Sequence, residues 1–139
     1  MPTKSLKNRN RDLWTVQILV ALLFLFAGAT KFIMPAEKMQ QGPVVFPMAF
    51  LYFIGVCEVL GGLGLVLPGL THIRTSLTPL AAAGLTIIMV GATTVSIIGG
   101  GAVAGTFPAV VGILTIWIAY GRARVVPLVD GPRRALRTV

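Results

Sequence analysis

Four apolar stretches, at 13–32, 47–67, 77–98 and 102–120, alternate with short breaks rich in charge, glycine or proline. Each is about 20 residues long, and at roughly 1.5 Å per residue a helix of that length covers the hydrocarbon core of a bilayer, about 30 Å thick. The pattern predicts an all-α fold: an integral membrane four-helix bundle with four transmembrane helices. Between the first and second stretches lies PAEKMQQGP, with Pro35 opening it, Glu37 in the first turn and Gly42-Pro43 closing it. That order predicts a short interfacial helix between the first two spans. Pro68-Gly69 stops the second span, and the triple glycine 99–101 ends the third. The apolar core of the fourth begins only at Phe107, so residues from Ala102 onward are counted into it. The polar segments 1–12 and 122–139 read as basic tails, the first disordered in water, around one membrane domain at 13–121.

Composition agrees with this pattern: 55% of residues are hydrophobic and 12% charged, outside the range of soluble globular chains. The first apolar run is too long for a signal peptide. It is followed by Lys31 and Phe32 instead of small residues, so it reads as a retained helix. The formal net charge is +8, and its distribution sets an orientation. With four spans, Lys4, Lys7, Arg9, Arg11, Arg74, Arg122, Arg124, Arg133, Arg134 and Arg137 share the side of the termini, and only Lys31 and Lys38 face the other. The positive-inside rule then predicts a multi-pass protein of the cell membrane with both termini cytoplasmic. Charges placed this way suit the anionic headgroups of the bilayer at the cytoplasmic face, not nucleic acid. Trp14, Trp117 and Tyr120 fall at span ends and read as interface anchors.

Few residues could carry chemistry. Glu58 is an ionisable group near the middle of FLYFIGVCEVLGGLGLVLP, and a carboxyl group at that depth usually faces a bundle interior. It is the candidate proton-active residue; the alternative is a neutral acid that fixes packing. Gly55, Gly61 and Gly62 share its helical face and would admit another backbone, while Gly84 and Gly91, a heptad apart, predict a second close-contact face. Lys31 is the natural counter-charge. With its helix centred near Leu23, it stands about 12 Å outward of the midplane, so it either pairs with Glu58 or snorkels to the interface. Thr86, Met89, Thr93 and Ser96 form one stripe on the third span. Glu58, Thr86, Thr93, Thr115 and Lys31 are therefore expected to form a polar pocket, the alternative being hydroxyls satisfied within their own helices. Cys57, the single cysteine, rules out an intrachain disulfide and reads as a packing residue; His72 reads as solvated. No metal-ligand cluster, phosphate loop or nucleophile triad is present in the sequence, and no cofactor is evident from it.

With these residues in view, the chain resembles the DoxX-like family of small four-helix membrane proteins. The likeness rests on LLFLFAGATKF, ending in Ala29–Phe32, on Phe46-Pro47 before the Glu58 span, on its Gly-x-x-Glu-x-x-Gly element, and on AAAGLTIIMVGATT. Lys31, Glu58, Gly61 and Gly62 are the family-like positions. Where related proteins often carry a histidine or acid late in the third span, this chain has Thr93, Thr94 and Ser96. The resemblance implies membrane subunits linked to thiosulfate–quinone oxidation or to detoxifying partners, with a soluble or membrane redox partner and a quinone as cofactor. Three readings follow: a non-catalytic subunit or partner of a membrane-associated redox or stress-response system; an oxidoreductase subunit acting on a quinone or other lipophile through Glu58; and a proton-coupled small-molecule transporter.

Overall fold

The computed structural model describes residues 3–42 and 44–131. Arg133, Arg134 and Arg137 of the expected tail, and Pro43 of the expected Gly42-Pro43 stop, lie outside the described residues. Four α-helices follow in order: α1 (Lys4–Ile33), α2 (Ala36–Met39), α3 (Met48–Thr71) and α4 (Leu77–Tyr120). The fold is all-α, and three of the helices, α1, α3 and the whole of α4, are long and apolar enough to cross a membrane.

The third of these is two rods. Gly101 has φ 79° and ψ −179°, a non-helical conformation open to glycine alone, and α4 reverses there. The reversal follows from the pairs it brings together. Thr86 bonds Thr115, Met89 lies against Gly112, and Ile97 lies against Gly105, so the arms 77–100 and 102–120 run antiparallel. At about 1.5 Å per residue they measure roughly 36 Å and 28 Å.

The same stepwise register joins α1 to α3. Gly28 meets Gly55 and Val59, Ala21 meets Gly62, Gln17 bonds the Leu65 carbonyl, and Trp14 meets Gly69. The helices are so close that a methyl group on Gly28 would stand 2.8 Å from the Gly55 carbonyl oxygen. Gly61 and Gly64 then receive Leu85 and Ala81 of the first arm of α4. The core sits between these rods: Val20, Ala21, Phe24, Leu65, Ala82, Leu85, Met89, Val111 and Ile118. Leu22, Phe26, Leu60, Ile87, Ile98, Val103 and Ile113 face outward, an apolar coat suited to lipid.

Several expected boundaries move. Residues 4–12, expected as a disordered tail, are the first turns of α1, continuous with the apolar run. The interfacial helix shrinks to the single turn α2. Pro68 does not stop its helix. It removes the bond that position 68 would give the Gly64 carbonyl, yet α3 continues to Thr71, and His72 in the left-handed region (φ 54°) ends it. Nor is 122–131 free tail. Gly121–Val125 forms a wide π-type turn, and 126–131 crosses the same end of the bundle as a strap. Thr75 donates from Oγ1 to the Leu128 carbonyl at 3.0 Å and from its N–H to Asp130 Oδ1 at 2.7 Å. Gly131 N–H donates to the His72 carbonyl at 3.0 Å.

Gly101→Ala is expected to lower stability by about 1–3 kcal/mol, because alanine cannot adopt that backbone conformation without strain. Gly84→Ala, at an exposed helical position where a Cβ meets nothing within 4 Å, should be neutral or stabilising by up to about 1 kcal/mol. Unfolding of the two variants in mixed micelles checks the pair; equal effects would contradict the hairpin.

Candidate functional site

Lys31 of α1 and Glu58 of α3 form an ion pair, Nζ donating to Oε2 at 2.5 Å. Nζ also lies 3.4 Å from the Ala27 carbonyl, one turn back on its own helix. The lysine side chain is 24% exposed and the glutamate 6%, so the carboxylate lies inside and the ammonium nearer the surface. Helical side chains lean toward the N-terminus of their own helix. Since α1 and α3 are antiparallel, Lys31 leans inward from one end and Glu58 leans outward to meet it. The separation in helix height that made pairing conditional is closed by this opposed lean. Gly55 completes the arrangement: a Cβ there would stand 3.2 Å from the Lys31 Cβ and 3.3 Å from the Gly28 carbonyl oxygen. Beside the pair lies a small cavity of about 160 Å³ lined by Thr30, Lys31, Met34, Met39 and Leu51.

The threonines do not join this pair. Thr86 and Thr115 bond each other at 2.8 Å and also approach the carbonyls of Ala82 and Gly112 at 2.8 Å each. Two hydroxyl protons thus serve three contacts, a shared network buried between the arms of α4. Thr93 donates to the Met89 carbonyl and Thr94 to that of Val90, both within their own helix. The expected five-residue pocket is therefore two separate units, Lys31–Glu58 and Thr86–Thr115, with Thr93 in neither. The reason is competition: Glu58 has a charged donor within reach, which a hydroxyl does not displace.

The glycines also divide. Gly55 and Gly62 admit α1, and Gly61 admits Leu85. Gly84 and Gly91 are exposed, with open space where a Cβ would stand, so the second close-contact face is absent from the bundle. Cys57 is half-buried beside an apolar groove between α3 and the first arm of α4. His72 is exposed, with Nδ1 3.2 Å from the Val129 carbonyl oxygen. Trp117 and Tyr120 are exposed near the end of α4.

A second polar cluster, at the opposite end from Lys31, is one the sequence reading missed. Arg122, expected among headgroups, is buried. Its Nε donates to Gln17 Oε1 at 2.5 Å, and Nη1 donates to Asn10 Oδ1 at 2.7 Å and to the Val126 carbonyl at 3.2 Å. Its guanidinium lies 5.3 Å from the centroid of the Trp14 ring. Gln17 in turn donates to the Leu65 carbonyl at 2.6 Å. The available signal was Gln17 itself, an amide set in an otherwise apolar run. A buried amide needs partners, and they come from α3 and from beyond α4.

Lys31→Met should destabilise by about 3–5 kcal/mol, since it leaves the buried Glu58 uncompensated, and Glu58→Gln should cost less, because the partly exposed Lys31 can turn to water. The double variant should lose clearly less than the sum. A double-mutant cycle of unfolding in micelles measures this, and strictly additive losses would show that the pair is not coupled.

No curated protein and no solved structure matches the chain. A family model does: that of the DoxX-like family matches residues 15–118, which take in α1 from Thr15, all of α3 and nearly the whole of α4. Both members of the ion pair, the glycines that seat it and the Thr86–Thr115 bond fall inside the match. The chain therefore belongs to the DoxX-like family, as a multi-pass membrane protein.

Proposed function

We propose that this DoxX-like protein is a non-catalytic membrane subunit or partner of a membrane-associated redox or stress-response system. The observation that carries the reading is the Lys31–Glu58 contact. The carboxylate deepest in the bundle is spent on holding α1 to α3, at 2.5 Å and with little exposure, instead of being left open to a substrate. Such a pair gives α1 and α3 one register and presents a fixed outer surface to a neighbour. The four rods, α1, α3 and the two arms of α4, each cross the bilayer, and both termini are cytoplasmic. Support for that orientation comes from the described charges. Lys4, Lys7, Arg9, Arg11, Arg74, Arg122 and Arg124 gather at one end, while Lys31 and Lys38 stand at the Gly101 end.

A second reading, a quinone- or lipophile-linked oxidoreductase subunit acting through Glu58, draws on the cavity beside the partly exposed Lys31. It would make the Lys31 ammonium the group that donates a proton to a carbonyl oxygen, and the Glu58 carboxylate the acceptor behind it that keeps the lysine charged.

The two readings part on one comparison. Under the first, Glu58→Gln lowers folded yield and partner recovery together, and whatever protein assembles supports full activity of the partner. Under the second, yield falls as well, but the coupled activity per assembled protein drops by about 100-fold or more, as for loss of a general acid or base. Co-purification from the membrane, with activity normalised to assembled protein, separates them. Orientation is checked by reporter fusions at the C-terminus and at Gly101. Cytoplasmic signals are expected from the first and external signals from the second, and the reverse would overturn the assignment.

A further inference from the structure

Arg122 has neutral company. The partners of its guanidinium are two amides, a backbone carbonyl and an indole face, none of them negative. A guanidinium carries five N–H donors. Those on Nη2 are buried and meet no acceptor among the described residues, and the residue is only 2% exposed. A buried charge without a counter-charge, and a buried donor without an acceptor, each weigh against the folded state.

A second atom is in the same condition. Thr78 is fully buried, and its Oγ1 has no partner among the described residues. The hairpin register places it at the level of Arg122. With Thr86 against Thr115 and Met89 against Gly112, Thr78 stands opposite position 123, next to Arg122. It also lies in the first turn of α4, where the helix dipole favours negative charge. The carboxylate nearby, Asp130, accepts the Thr75 N–H.

We propose that Arg122 and Thr78 form an internal oxyanion site at the basic end of the bundle, for a phosphate-type group. The group is supplied either by the headgroup of an anionic phospholipid or as free phosphate. Nη2 offers the N–H donors such a group accepts, and the threonine hydroxyl offers one more. The strap 126–131 lies over this end, and its Val126 carbonyl already bonds Arg122, so the anion enters past the strap.

The test uses the full-length protein in phosphatidylcholine nanodiscs, with thermal unfolding followed in two arms. One titrates inorganic phosphate against chloride at constant ionic strength; the other replaces part of the lipid with phosphatidylglycerol. Wild type should show saturable stabilisation in at least one arm: phosphate alone assigns a free anion, phosphatidylglycerol alone assigns the lipid. Arg122→Gln should abolish the response, and Arg124→Gln, at an exposed arginine, should keep it. Thr78→Val should weaken the apparent affinity about tenfold. Should Arg122→Gln not fold, Thr78→Val and Arg122→Lys take its place, and unchanged affinity in both would refute the site. No stabilisation in either arm, or equal loss with Arg124→Gln, would overturn the proposal.

Discussion

The close antiparallel seating of α1 on α3 is the constraint on which the rest depends. Glycine at positions 28, 55 and 62 lets the two backbones approach to near contact. At that separation the opposed lean of Lys31 and Glu58 becomes an ion pair. Without a driving force from water inside a bilayer, helices associate through tight backbone packing and internal polar contacts. Here both operate on one seam. The remaining rods are added to it: Leu85 enters the notch at Gly61, and the second arm of α4 closes on the first through Thr86 and Thr115.

Much of this was legible in the chain. Hydropathy pointed to long apolar helices because bilayer thickness sets their minimum length, although α1 begins at Lys4, well ahead of the expected start at 13. The glycine face around Glu58 was legible because only close approach explains three glycines beside a buried acid. What failed did so for physical reasons. Gly84 and Gly91 have the same spacing as a packing face, but spacing alone cannot say which side of a lipid-coated helix meets protein. Pro68 reads as a stop because proline lacks a donor, yet one missing bond does not end a helix whose other turns stay packed against α1. Residues 4–12 read as tail because they are polar, and a polar segment continues a helix readily once the apolar part has nucleated it.

Height estimates from residue counting left the pairing of Lys31 open. They measure Cα positions along an axis and ignore that side chains in antiparallel helices lean toward each other. Arg122 was misplaced for a related reason. Arginine next to a membrane edge is usually solvated, and only the amides of Gln17 and Asn10, distant in sequence, draw this one inside. The bundle thus carries its buried charges at both ends, one compensated by a carboxylate and the other surrounded by neutral dipoles.

The reversal at Gly101 bears on how the chain is put into place. The tip between the two arms is a single residue, and its neighbours Gly99, Gly100, Ala102 and Val103 bring neither charge nor bulk. A reversal of that kind has no hydrophilic loop to be dragged through hydrocarbon. The two arms and the turn between them are thereby one unbroken stretch, 77–120, without a single Asp, Glu, Lys or Arg.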